Sequence, residues 1–158
     1  GFGRDGCCAT SEVADFSTAF CEDAGHFDVE RVVFAPGPPL AQRRGGCAVA
    51  RLDAGRALVA GGSDGLSRQR STEVLSFTSM SFGPGPEMVR PRSGAALVKF
   101  DASKLILAGG LDGSATGYSD TTEVLELQNM TFVRGPRMTL RRAYGAATLY
   151  NSSQKIGT

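Results

Sequence analysis

One pattern, written three times at fixed spacing, constrains what this chain can fold into. Phe34, Phe82 and Phe132 each stand six residues before Leu40, Met88 and Met138, and each of those stands four before Arg44, Arg92 and Arg142. Seventeen residues separate Arg44 from Gly61-Gly62, and seventeen separate Arg92 from Gly109-Gly110. Glu73-Val74-Leu75 returns as Glu123-Val124-Leu125. The period is 48 residues, then 50. Self-similarity of that length belongs to propellers and arrays built from copies of one supersecondary unit, not to an enzyme organised around a single catalytic centre.

Each copy reads as β structure. Arg44 to Leu52 forms one predicted strand, Asp53-Ala54-Gly55 a turn, and Arg56 to Ala60 a second strand stopped by two glycines. The next copy runs Gly94 to Phe100, Asp101-Ala102-Ser103, then Leu105 to Ala108. Its four-residue apolar run suits a strand covered on both faces. A polar loop leads to a third strand at Glu73–Phe77 or Glu123–Leu127, and a fourth at Met80–Phe82 or Met130–Phe132. Pro84, Pro86, Pro91 and Pro136 fall in the links to the next unit, where no central ladder needs their missing N–H. Gly61-Gly62 and Gly109-Gly110 let the chain turn through positive φ and let another backbone approach without a Cβ in the way.

The set resembles kelch repeats: an apolar residue four before Arg, a hairpin, four apolar residues before a double glycine, then Glu-Val with an aromatic nine residues after the Glu. It covers roughly residues 34 to 150. Leu75 and Leu125 replace the usual tyrosine of the third strand, and Phe82 and Phe132 replace the fourth-strand tryptophan, with apolar volume kept. The resemblance implies an all-β, kelch-type β-propeller fragment of four-stranded antiparallel blades, about three in number and incomplete. Blades are expected at 44–82 and 92–132, with a further one starting at 142–158. Arg44, Arg92, Arg142, Gly61, Gly62, Gly109, Gly110, Glu73, Glu123, Phe82 and Phe132 are then its structural repeat residues.

Residues 1–33 read as a degenerate or partial N-terminal blade, because Arg4 to Ala9 echoes Arg44 to Ala48 without a following double glycine. Val29 to Phe34 would supply its outer strands. An unrelated extension fits these residues equally well. Propellers close with 4 to 8 blades, so 158 residues are not expected to close a ring. The last residues reach only into a hairpin, with Ala146 to Tyr150 as one strand and Lys155-Ile156 opening the next. The remaining blades are expected from the same longer chain or from neighbouring subunits.

Composition excludes several classes of function. With 41% hydrophobic residues, 21 Gly and a net charge of +1, the chain reads as a soluble β protein. It has no apolar run of the ~18 residues a membrane helix needs. Neither the charge nor any aromatic stacking pattern supports nucleic acid. Cys7, Cys8, Cys21 and Cys47 are too few and too bunched for a disulfide framework, which leans toward a reducing, intracellular compartment without naming one. Cys21 with His26 is no more than a nucleophile and base at arbitrary spacing. The cysteines include no C-x-x-C pair to seat a metal. No phosphate-binding glycine motif occurs. No catalytic residue, cofactor or metal is expected.

A surface remains. Alternate turns of an antiparallel blade point the same way, so inter-blade links and post-glycine loops share one face. Arginine crowds both. Arg44, Arg92 and Arg142 recur once per unit and read as bridges within the framework. The non-repeating Arg68, Arg70, Arg90, Arg134 and Arg137 read as contact residues for a protein partner with acidic character, since arginine's planar fork matches carboxylates and is enriched at binding hot spots. The expected function is therefore a non-enzymatic, protein-binding scaffold. The alternatives are a structural subunit of a larger assembly and a piece of a kelch-like propeller enzyme of oxidase or epimerase type.

Overall fold

The computed structural model describes residues 12–15, 20–21, 26–27, 33–113 and 117–149. Among these the fold is all β, with no helix. Four short strands come first: β1 (Glu12–Asp15), β2 (Phe20–Cys21), β3 (His26–Phe27) and β4 (Val33–Pro36). β1 pairs antiparallel with β4, and β2 with β3 in a hairpin that sets Cys21 opposite His26. The Arg4–Ala9 echo lies outside the described residues.

Two four-stranded antiparallel sheets follow. The first is β5 (Ala48–Arg51), β6 (Arg56–Ala60), β7 (Thr72–Ser76) and β8 (Ser81–Pro84), hydrogen-bonded in chain order. The second repeats it with β9 (Ala96–Lys99), β10 (Lys104–Ala108), β11 (Thr122–Glu126) and β12 (Thr131–Arg134). Register repeats as well: Val59 stands opposite Glu73 as Leu107 does opposite Glu123, and Leu75 opposite Phe82 as Leu125 does opposite Phe132.

Two boundaries differ from expectation for a visible reason. The fourth strands begin at Ser81 and Thr131, because Met80 and Met130 take φ of 46° and 53° and belong to the preceding turns. Pro84 ends β8 rather than lying beyond it. β8 is an edge strand, where a missing N–H is tolerated. Of the first strand expected at 146–150, residues 146–149 are described and have no ladder partner among the described residues. The partner expected for them starts at Lys155, which is not described.

The core is shared by both sheets. Leu58, Ala60, Met88, Leu105, Leu107, Leu125 and Phe132 are buried in one cluster. The first strands, β5 and β9, are in contact. Burial of the repeated aromatic rises along the chain: Phe34 is 67% exposed, Phe82 half-buried and Phe132 only 6% exposed.

Candidate functional site

The repeated residues hold the scaffold that carries the candidate face. Arg44 donates through Nε to Glu73 Oε1 at 2.9 Å, through Nη1 to the carbonyls of Gly61 and Ser71 at 2.8 Å each, and through Nη2 to Ser71 Oγ at 2.9 Å. Arg92 repeats this with Glu123 Oε1 at 3.0 Å, the Gly109 carbonyl at 2.8 Å and Thr121 Oγ1 at 2.7 Å. Both carboxylates also accept from the link that delivers their arginine, Glu73 from the amides of Ala41 and Gln42, and Glu123 from those of Val89 and Arg90. Burying a charge pair costs several kcal/mol per ion unless the remaining donors and acceptors are met. Here they are met twice, by the same groups.

The double glycines join one sheet to the next. A Cβ on Gly61 would lie 2.4 Å from the Arg92 carbonyl oxygen, and one on Gly109 would lie 2.4 Å from that of Arg142. Their neighbours use the approach: the Gly62 amide donates to the Arg92 carbonyl at 2.7 Å, and the Gly110 amide to the Arg142 carbonyl at 2.9 Å. A second seam runs along the starts of the first strands. Gly94 N–H donates to the Gly46 carbonyl, and Tyr144 N–H to the Gly94 carbonyl, each at 2.7 Å. Arg142 makes the same backbone contact as Arg92, yet its side chain is exposed.

Antiparallel order places loop 61–71 and segments 109–113 and 117–121 at the same end of the sheets as the link 85–95 and the described segment after Gly135. Direct contacts bind loop to link: Met88 N–H to the Arg70 carbonyl at 2.9 Å, Met138 N–H to the Asp120 carbonyl at 2.7 Å. The arginines expected on this face are distributed over it unevenly. Arg70 pairs with Glu87 at 2.6 Å, and Arg137 with Asp120 at 3.1 Å. The Arg90 guanidinium stands 4.0 Å from the Asp112 carboxylate. Arg68 is exposed at a loop end, with Nη1 3.7 Å from where a Cβ on Gly113 would stand. Arg134 is exposed at the end of β12 and lines one hollow with Arg90 and Arg137.

Two features of this end escape a reading by residue type. Arg70 and Glu87 correspond in the repeat to Asp120 and Arg137, so the same ion pair is made twice with its sign reversed. Aligning the two copies could have exposed it. Leu66 is 98% exposed at the tip of loop 61–71. Asp64 holds that tip: its Oδ1 accepts the amides of Leu66 at 2.8 Å and Ser67 at 2.7 Å. Those amide donors, Ser67's first, hold the Asp64 carboxyl below the usual range, because they favour the charged form.

Cys47 lies beside Gly62, and burial pushes its thiol up, away from the reactive thiolate. Among the described residues no three His, Cys, Asp or Glu side chains come together, and no helix is long and apolar enough to cross a membrane. Cys7 and Cys8 lie outside those residues. Comparison of the sequence with protein-family models and with curated proteins gives no match.

Proposed function

We propose that the chain is a run of kelch-type propeller blades whose loop face binds an acidic segment of a protein partner. The observation that carries this reading is the division of labour among the arginines. Arg44 and Arg92 are consumed inside the sheets, whereas Arg68, Arg70, Arg90, Arg134 and Arg137 stand at one end of them, beside a leucine held out at a braced loop tip. The propeller reading is supported by identical seams between successive units and by contact between their first strands. Arginine is among the residues enriched at protein-contact hot spots.

Fluorescence anisotropy of a labelled glutamate-rich peptide tests the binding claim. Affinity is expected to weaken as salt rises, and to fall about tenfold or more in the Arg68→Ala, Arg70→Ala double variant with the β-type circular dichroism unchanged. Equal affinity for the variant contradicts the assignment of that loop.

A further inference from the structure

The two sheets build the same hollow with different linings. In the first, beside Arg44 and Glu73, the rim residues are Gln42, Pro84 and Glu87. In the second, beside Arg92 and Glu123, the corresponding residues are Arg90, Arg134 and Arg137. The first hollow thus counts one arginine and two glutamates among its lining residues, the second four arginines and one glutamate. The backbone frame is common to both: Thr72 Oγ1 donates to the Pro86 carbonyl as Thr122 Oγ1 does to that of Pro136. Because the first copy stands without the three arginines, the fold does not require them.

Resting on the loop-face reading above, we infer that the hollow bounded by Arg90, Arg134 and Arg137 is a binding site for a phosphoryl group on a side chain of the protein partner. Its volume is about 140 Å³, several times a water's share of the liquid, and suits one small oxyanion. Val89 is the only apolar side chain in the lining and no aromatic occurs there, so the hollow offers charge and hydrogen-bond donors in place of an apolar bed for an acyl chain. A carboxylate brings one charge and two oxygens, and Asp112 and Asp120 already present carboxylates to Arg90 and Arg137. A phosphoryl group brings up to two charges and three acceptor oxygens. It engages Arg134 and draws on Arg137, whose pair with Asp120 is largely solvent-exposed and worth little, and on Arg90, whose contact with the mostly buried Asp112 is long at 4.0 Å. Arginine clusters recognise phosphorylated segments through such bidentate, charge-assisted bonds.

Calorimetric titration of the full chain with two acidic peptides, identical except for one phosphoserine in place of serine, tests the site at constant ionic strength. The phosphopeptide is expected to bind about tenfold more tightly. The Arg90→Gln, Arg134→Pro double variant places the first copy's residues on the second copy's backbone. It is expected to erase that difference, both peptides then binding equally and more weakly than the serine peptide binds the native chain. Arg134→Lys, which keeps the charge and loses the fork, should retain only part of the preference. Equal affinity for the two peptides in the native chain overturns the inference and leaves the loop-face reading standing, as does a preference that survives the double variant. If neither peptide binds but inorganic phosphate raises the melting temperature of the native chain and not of the variant, the hollow stands and the loop-face reading fails. Binding to vesicles bearing phosphoinositide without binding to phosphopeptide overturns the assignment to a protein partner.

Discussion

The carbonyl oxygen of Arg92 accepts the amide hydrogen of Gly62 at 2.7 Å, while the guanidinium of the same residue is closed on Glu123. One residue therefore ties the second sheet together internally and ties it to the first. Arg142 repeats the external half of this arrangement on Gly110. The scaffold is modular at the level of single hydrogen bonds, and the chemistry that differs between copies is confined to side chains the scaffold does not use.

Breaking the internal tie is expected to be costly. Arg92 and Glu123 are each 1% exposed as side chains, so Arg92→Met leaves a buried carboxylate with its cation gone. The loss should be about 3–5 kcal/mol. Arg142→Met, at the exposed counterpart, should cost under about 0.5 kcal/mol. Urea midpoints of the two variants check this, and a pair of equal shifts contradicts it. Replacing Arg92 and Glu123 together by apolar residues should cost less than either single change suggests, because no uncompensated charge remains.

The loop tip carries a pH signature. Asp64 has a folded pKa below its unfolded value, so the order it confers is fully present above about pH 4, the ordinary carboxylate value, and is lost as pH falls through the lower, folded value. Amide resonances of Leu66 and Ser67 should hold steady on acidification to about pH 4 and move only below it. Asp64→Asn should remove that transition. A midpoint near neutrality would contradict the bracing role.

Cys47 should be a slow nucleophile in the folded chain. Burial favours its neutral form, so alkylation at Cys47, followed by peptide mass mapping, should lag at pH 8 and recover to the free-thiol rate when the chain is unfolded in urea. Labelling of Cys47 at the same rate in folded and unfolded chain would contradict the placement.

Much of this is legible in the sequence because the spacings are themselves contacts. The seventeen residues from Arg44 to Gly61 and from Arg92 to Gly109 are each spanned by an Nη1 hydrogen bond to the glycine carbonyl. The glycine pair announces a close approach, and the approach is the Arg92 carbonyl. Sorting loops and links to one end of the sheets likewise follows from strand alternation alone. What residue types do not disclose is pairing. Arg70, Arg90 and Arg137 read as open contact residues, whereas each meets a carboxylate, two of them in an ion pair whose sign reverses between copies. The turn positions of Met80 and Met130 are hidden for a related reason, since methionine has no preference for positive φ and only the hairpin geometry imposes it.

The repeated residues join sheet to sheet, and Gly61→Ala against Gly83→Ala measures that directly. Gly61 has φ of +65° and its missing Cβ is filled by a carbonyl 31 residues away, while nothing stands within 4 Å of a Cβ on Gly83. In urea denaturation Gly61→Ala should lose about 2–4 kcal/mol, and Gly83→Ala should match or slightly exceed the native midpoint. Equal midpoints for the two variants would contradict the joining of the sheets through their double glycines.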